Sequence, residues 1–110
     1  MTQDEIDRLF QALADSTRRD ILQRSIEQGE SVSSISRRYP MSFAAVQKHV
    51  AVLERAALVT KVRRGREQIV HAHGPMLSKA AILLGEYEQL WIQRVNQIEQ
   101  ILAEDEGGMT

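Results

Sequence analysis

The chain has 110 residues, 43% of them apolar and 26% charged, with 14 Lys and Arg against 15 Asp and Glu for a net charge of −1; this is a globular balance at a length that suits one domain. It contains no Cys, which excludes disulfides, thiolate metal sites and a Cys nucleophile. No apolar run approaches the roughly 18–20 residues of a membrane span, and the acidic start, Met1-Thr2-Gln3-Asp4-Glu5, lacks the basic-then-apolar layout of a signal peptide, so a cytoplasmic domain is expected.

Ile6, Leu9, Phe10 and Leu13 follow the i, i+3, i+4, i+7 spacing of an amphipathic helix, expected to stop near Ala14. Asp15-Ser16-Thr17 supplies a cap for a second helix, with Ile21, Leu22 and Ile26 turned inward and Gly29 as its stop. A short third helix follows Ser31, with Val32 and Ile35 inward and Arg37 and Arg38 at its end. Pro40 pushes Tyr39 out of helical angles and closes that segment. Ser42 is placed to cap a fourth helix whose Val46, Val50 and Leu53 share one face, running to about Ala57.

The period then changes. Residues 59–63 and 68–72 are β-prone runs joined by Arg64-Gly65-Arg66-Glu67, a hairpin with glycine at the turn. Pro75 suits the first turn of a last helix, expected over about Met76 to Ala103. Residues 1–104 are read as the domain and 105–110 as a flexible acidic tail.

Two short helices across a tight break, followed at once by a basic hairpin, have the order of a winged helix-turn-helix: mainly α with one small β-hairpin, α-α-α-α-β-β-α. The near-zero net charge argues against a nucleic-acid partner only as an average. Residues 1–30 carry four basic against seven acidic side chains, net −3. Residues 31–74 carry eight against two, net +6, and residues 75–110 two against six, net −4. The positive block coincides with the helix pair and the hairpin, which points to double-stranded DNA as partner.

The residues carry a resemblance as well. The run from Phe10 through Asp15-Ser16-Thr17-Arg18-Arg19 to Leu22 resembles the opening of arsenical-resistance-repressor (ArsR) family regulators. So do residues 41–59, Met41 to Val59, the wing Arg63-Arg64-Gly65-Arg66, and a closing helix with a Trp. The resemblance spans about residues 6–102 and implies a homodimeric transcriptional repressor whose first and last helices form the interface. Two positions depart from the family pattern: Gln47 where many members carry Ser, and Ala57 where many carry Gly, the latter expected to have little consequence.

The fourth helix reads as the recognition element, with Gln47 and His49 assigned to base edges, Ser42 and Lys48 to phosphates, and Phe43 or Ala44 to a thymine methyl. N-capping is an equal reading for Ser42, packing against the preceding turn for Phe43, and fixing of neighbouring backbone for His49. Lys61, Arg63, Arg64 and Arg66 on the hairpin suit phosphates. Leu77, Ala80, Leu84, Tyr87, Trp91, Val95, Ile98 and Leu102 run close to a heptad seam, widened by Ile82, Leu83, Leu90 and Ile101. A helix from Met76 to Ala103 would be about 42 Å long, against a radius of gyration of about 13 Å for a chain of this size. A homodimer interface is therefore assigned to Ile6, Leu9, Phe10, Leu84, Tyr87, Trp91, Val95 and Ile98, and with it a palindromic operator.

His71 and His73 alternate onto one strand face, the start of a two-ligand metal site in an alternative, metal-responsive reading; no third ligand follows at useful spacing, so no metal and no cofactor is expected. A winged module that binds only protein is the other alternative, and the Arg-rich wing weighs against it. No nucleophile elbow, phosphate-cradling Gly loop or paired acidic motif suggests an enzyme. No small-molecule effector is legible.

Overall fold

The structure is a computed structural model that describes residues 1–108, with side chains through Asp105. Helix α1 (Gln3–Leu13) opens on a capping box in which the Thr2 hydroxyl accepts from the Glu5 N–H and the Glu5 carboxylate accepts from the Thr2 N–H. Helix α2 (Ser16–Glu27) is capped by Asp15, whose carboxylate accepts from the Arg18 N–H at 3.0 Å. Strand β1 (Glu30–Ser31) leads into the one-turn helix α3 (Val32–Ser36), capped by Ser31. Helix α4 (Phe43–Arg55) starts at Ser42, and strands β2 (Val59–Arg64) and β3 (Glu67–Ala72) form the hairpin. Helix α5 (Gly74–Gly108) closes the chain.

The mainly helical winged architecture expected from the element order is what the chain adopts. The sheet, however, has three antiparallel strands in the order β1-β3-β2, because Glu30 and Ser31 pair with Val70 and Ile69. Residues 1–77 make one compact unit and the remainder of α5, from Ser78 on, makes another. The backbone of α5 stays helical past the expected end at Ala103 and through Gly108. The segment expected to be a flexible tail thus begins as helix, and its last two residues lie outside those described. No helix among the described residues is long and apolar enough to cross a membrane.

The core of the first unit is built from one stripe of each element: Leu9 and Ala12 of α1, Ile21 and Leu22 of α2, Val32 and Ile35 of α3, and Val46, Val50 and Leu53 of α4, closed by Leu58, Val59 and Val70. At about 25 cal/mol per Å² of apolar surface buried, this cluster is the main source of stability. Two expected members of apolar stripes behave otherwise. Ile26 is 55% exposed, and Ser25 is the buried residue of that turn, its hydroxyl returning to the Ile21 carbonyl at 2.8 Å. Leu9, expected at a dimer interface, is 1% exposed and packs inside its own chain, so it cannot also meet a partner.

Gly29 does not end α2 through a left-handed conformation, since Gly65 is the one glycine with positive φ among the described residues. Its lack of a side chain serves a close approach instead: a Cβ there would overlap the ring of His71 on β3. Gly65, at φ 65°, takes the first central position of the two-residue turn between paired Arg64 and Glu67, as a type II′ hairpin requires.

Ala57 carries more strain than its sequence suggests. It sits at φ 59° just past α4, in the left-handed region where a Cβ is disfavoured. Its N–H satisfies the Glu54 carbonyl at 2.9 Å, and the next N–H, of Leu58, satisfies Leu53 at 3.0 Å, so the helix end depends on that conformation. Ala57→Gly is therefore expected to stabilise the fold by about 1 kcal/mol, because relief of the strain exceeds the added chain entropy of glycine. The thermal midpoint should rise by about 5 °C, and an unchanged or lower midpoint would show that the turn is unstrained.

Candidate nucleic-acid interface

Helix α4 presents two unlike sides. Val46, Val50 and Leu53 are buried, which turns Phe43, Ala44, Gln47 and Lys48 outward as one exposed stripe. Phe43 is 45% exposed, so it is an available apolar contact and not a packed one. The Ser42 Oγ accepts from the Ala45 N–H at 3.1 Å, which makes it the N-cap. Capping uses the oxygen as acceptor and leaves the hydroxyl proton free to donate, so the two readings of Ser42 are compatible.

His49, expected from the sequence at a base edge or fixing neighbouring backbone, lies off this stripe. Two residues beyond Gln47, it lies about 160° round the helix from it, and its side chain is directed to α2. Its Nδ1 is 3.2 Å from Nη1 of Arg18 and 4.0 Å from the Asp15 carboxylate, and the side chain is 21% exposed. It therefore lies off the outward stripe, because the same burial that aims Gln47 outward turns the opposite side of the helix inward.

The hairpin extends beyond the core. Val59 at one end and Val70 near the other are buried, while residues 61–68 are exposed on both strands. Lys61, Arg63, Arg64 and Arg66 all lie on this exposed part. They are not equally unengaged. Lys61 pairs with Glu54 of α4 at 3.5 Å, which braces the wing against the end of that helix. Arg63 donates from Nε to the Gly65 carbonyl at 3.2 Å. Arg64 and Arg66 have no side-chain partner among the described residues.

A polar lock sits where α3 gives way to α4. The Tyr39 hydroxyl donates to the Asp20 carboxylate on α2, which also accepts from Arg24 at 3.0 Å. Nearby, Glu30 accepts from Ser34 at 2.5 Å and from Arg38 at 2.8 Å. Hydrogen bonds from Tyr39 and then Arg24 hold the Asp20 carboxyl below its ordinary value. For Glu30, burial pushes upward but is outweighed by Ser34 and Arg38, and the net displacement is downward. The Tyr39 phenol is pushed up to about 12 by burial and by Asp20. The Tyr39–Asp20 contact is not legible in the sequence, because the two residues are 19 positions apart and no periodicity relates them.

Of the alternative metal ligands, His71 is exposed against Gly29 and His73 is half-buried. Among the described residues no group of three or more His, Cys, Asp or Glu is arranged to hold a metal ion. Ile6 is half-buried and Phe10 is 43% exposed, while on α5 Leu84, Tyr87, Trp91 and Ile98 are exposed and Val95 is half-buried.

No family model matches the chain. A helix-turn-helix-type transcriptional regulator of Mycobacterium tuberculosis is 32% identical over 96 residues, covering 87% of each chain. An ArsR-like transcriptional regulator of a Rhodococcus species superposes with a TM-score of 0.78 at 37% identity, covering 89% of this chain and 92% of its own. A homodimeric winged helix-turn-helix DNA-binding domain of Mycobacterium bovis shares the fold at a TM-score of 0.64 and 22% identity, over 78% of this chain and 80% of that one.

The depressed Asp20 carboxyl gives the turn a pH signature. A group with a lowered folded value contributes stability above its unfolded value, ordinarily 3.8, and that stability is lost as pH falls through the folded value. Tyr39→Phe removes the leading cause. It should cost about 1 kcal/mol at neutral pH and flatten the acid limb of a urea-unfolding series, whereas an acid limb identical to wild type would show that the Tyr39 contact does not form in solution. Tyr39 itself contributes in the other direction, with stability complete below its ordinary 10.0 and lost as pH rises through about 12.

Proposed function

The chain belongs to the ArsR family of winged helix-turn-helix transcriptional regulators, and on that premise we propose that it is a repressor that binds a palindromic operator as a homodimer. One observation carries the DNA-binding part: the outward stripe of α4 and the exposed, Arg-rich end of the hairpin occur in one unit that is basic where the rest of the chain is acidic. Gln47 reads a base edge, with adenine the geometric match for a bidentate amide. Phe43 or Ala44 meets a thymine methyl, and Ser42 and Lys48 hold phosphates that set the register of α4 in the major groove. Arg64 and Arg66 reach phosphates beside the groove; Arg63 and Lys61 add charge there while bracing the wing.

Dimerisation is supported by the surface of α5. Ile82, Leu84, Tyr87, Leu90, Trp91, Ile98, Ile101 and Leu102 are all more than two-fifths exposed, Trp91 at 65%. So much exposed apolar surface on one helix marks an interaction site; on α1, Phe10 is exposed as well while Leu9 is buried. The homodimeric relative of like fold supports a second copy as the partner. Two-fold symmetry then places recognition helices about 34 Å apart and matches them to half-sites one turn apart. Likeness to the ArsR family supports repression as the mode of control, and no chemistry of an enzyme enters this reading.

Binding to DNA from the chain's own upstream region, followed by fluorescence anisotropy and footprinting, tests the proposal. Arg64→Ala and Arg66→Ala should weaken binding to all sequences and flatten the salt dependence, which for about eight phosphates per dimer has a log–log slope near −7. Gln47→Ala should instead lose discrimination at one base position, by about 1–3 kcal/mol. Equal specificity profiles for the two classes would overturn the roles. Sedimentation at micromolar concentration should give a dimer that Trp91→Glu dissociates; a monomeric wild type would sink the dimer and the palindrome with it.

A further inference from the structure

The hydrogen bonds at the start of α2 converge on one side chain. Arg18 donates from Nε to the Ala12 carbonyl at 3.0 Å and from Nη2 to the Gln11 carbonyl at 2.8 Å. Both carbonyls belong to the last turn of α1, where helix carbonyls run short of backbone partners; that of Gln11 also accepts from the Ala14 N–H at 3.3 Å. The third nitrogen, Nη1, lies 3.2 Å from Nδ1 of His49 on α4. Asp15 fixes the backbone of Arg18 from the other side, through the 3.0 Å bond to its N–H. One guanidinium thus spans the C-terminus of α1, the N-terminus of α2 and the middle of the recognition helix.

The chemistry of the pair sets its direction. A guanidinium offers only donors, so Nδ1 of His49 accepts and the neutral ring carries its proton on Nε2. Nε2 has no partner among the described residues, and no buried side-chain nitrogen or oxygen there goes unpaired, so Nε2 reaches solvent. His49 nonetheless sits away from the stripe of Phe43, Ala44, Gln47 and Lys48.

We propose that Arg18 and His49 are positioning residues for DNA recognition: the Arg18–His49 hydrogen bond fixes the seating of α4 on the end of α1, and His49 serves as its acceptor and not as a DNA contact. This rests on the DNA-binding reading above. Since neither side chain lies on the DNA-facing stripe, loss of the bond lowers affinity through the placement of Gln47 and Lys48. It leaves the number of neutralised phosphates as it was.

Three variants of the full chain test this, each checked for folding by circular dichroism and thermal melting. His49→Asn keeps a side-chain oxygen close to the position of Nδ1 and should bind DNA within about twofold of wild type. His49→Leu has no acceptor and should lose about tenfold in affinity with an unchanged salt slope. Arg18→Met should lose a similar factor, and the double variant Arg18→Met, His49→Leu no more than either alone. Equal losses in His49→Asn and His49→Leu, or additive losses in the double variant, would overturn the proposal, the former by making Nε2 a direct DNA contact. Long-range ¹H–¹⁵N correlation of the His49 ring reads the bond without DNA. The Nε2–H tautomer is expected in wild type and a tautomer mixture in Arg18→Met, and an Nδ1–H tautomer in wild type would overturn the proposal. If wild type bound no DNA while the Nε2–H tautomer held, the DNA-binding reading would be what failed.

Discussion

The rotation of α4 about its own axis is the constraint on which the rest of the candidate interface depends. Val46, Val50 and Leu53 are each almost wholly withdrawn from solvent. Together they stand for several kcal/mol of transfer free energy that a rotated helix would forfeit. With that side committed to the core, 3.6 residues per turn leaves no freedom for the rest. Phe43, Ala44, Gln47 and Lys48 must face outward, and His49 must face α2. The polar contacts around the helix, Ser42 at its cap, Tyr39 to Asp20 at the preceding turn and Arg18 to His49 at its flank, refine a placement that apolar burial has already chosen.

Electrostatics follows from that placement. The eight basic residues between 31 and 74 are not spread evenly over the first unit. Arg38 is neutralised by Glu30 and Lys61 by Glu54, while Arg64 and Arg66 at the hairpin tip keep their charge available. A two-residue turn with glycine at φ 65° brings these last two side chains to the tip, where nothing else competes for them. Charge that is paired serves to brace the wing and the helix pair. Charge that is unpaired lies at the exposed end of the hairpin, open to an anionic partner.

The long C-terminal helix obeys a different logic. Its apolar residues occupy more of the circumference than one buried stripe needs, and many are exposed. Such a surface is costly in water and marks the helix as an interaction site. The same helix and, at the other end of the chain, residues 1–30 carry the excess of acidic residues. The charge is thus segregated along the chain, acidic at both ends and basic between residues 31 and 74, within a net charge of −1.

Periodicity and turn chemistry were enough to read α1, α2, α4, the hairpin and the long last helix from the sequence, because each is an extended pattern repeated over several residues. The segregation of charge was legible for the same reason, and it located the candidate interface. What the sequence could not determine is which of two neighbouring residues goes inward, as with Leu9 against Phe10 or Ser25 against Ile26; only packing against other elements chooses. Strand β1, two residues long, is too short to show any period and exists because β3 lies beside it. Gly29 had the form of a helix stop but is required by the ring of His71, 42 positions later. Arg18 and His49 are 31 residues apart, and their contact depends on how α1, α2 and α4 meet. Local sequence determined the elements and their charge; the facing of each side chain was decided by tertiary contact, since burial is a property of what lies opposite a residue and not of the residue itself.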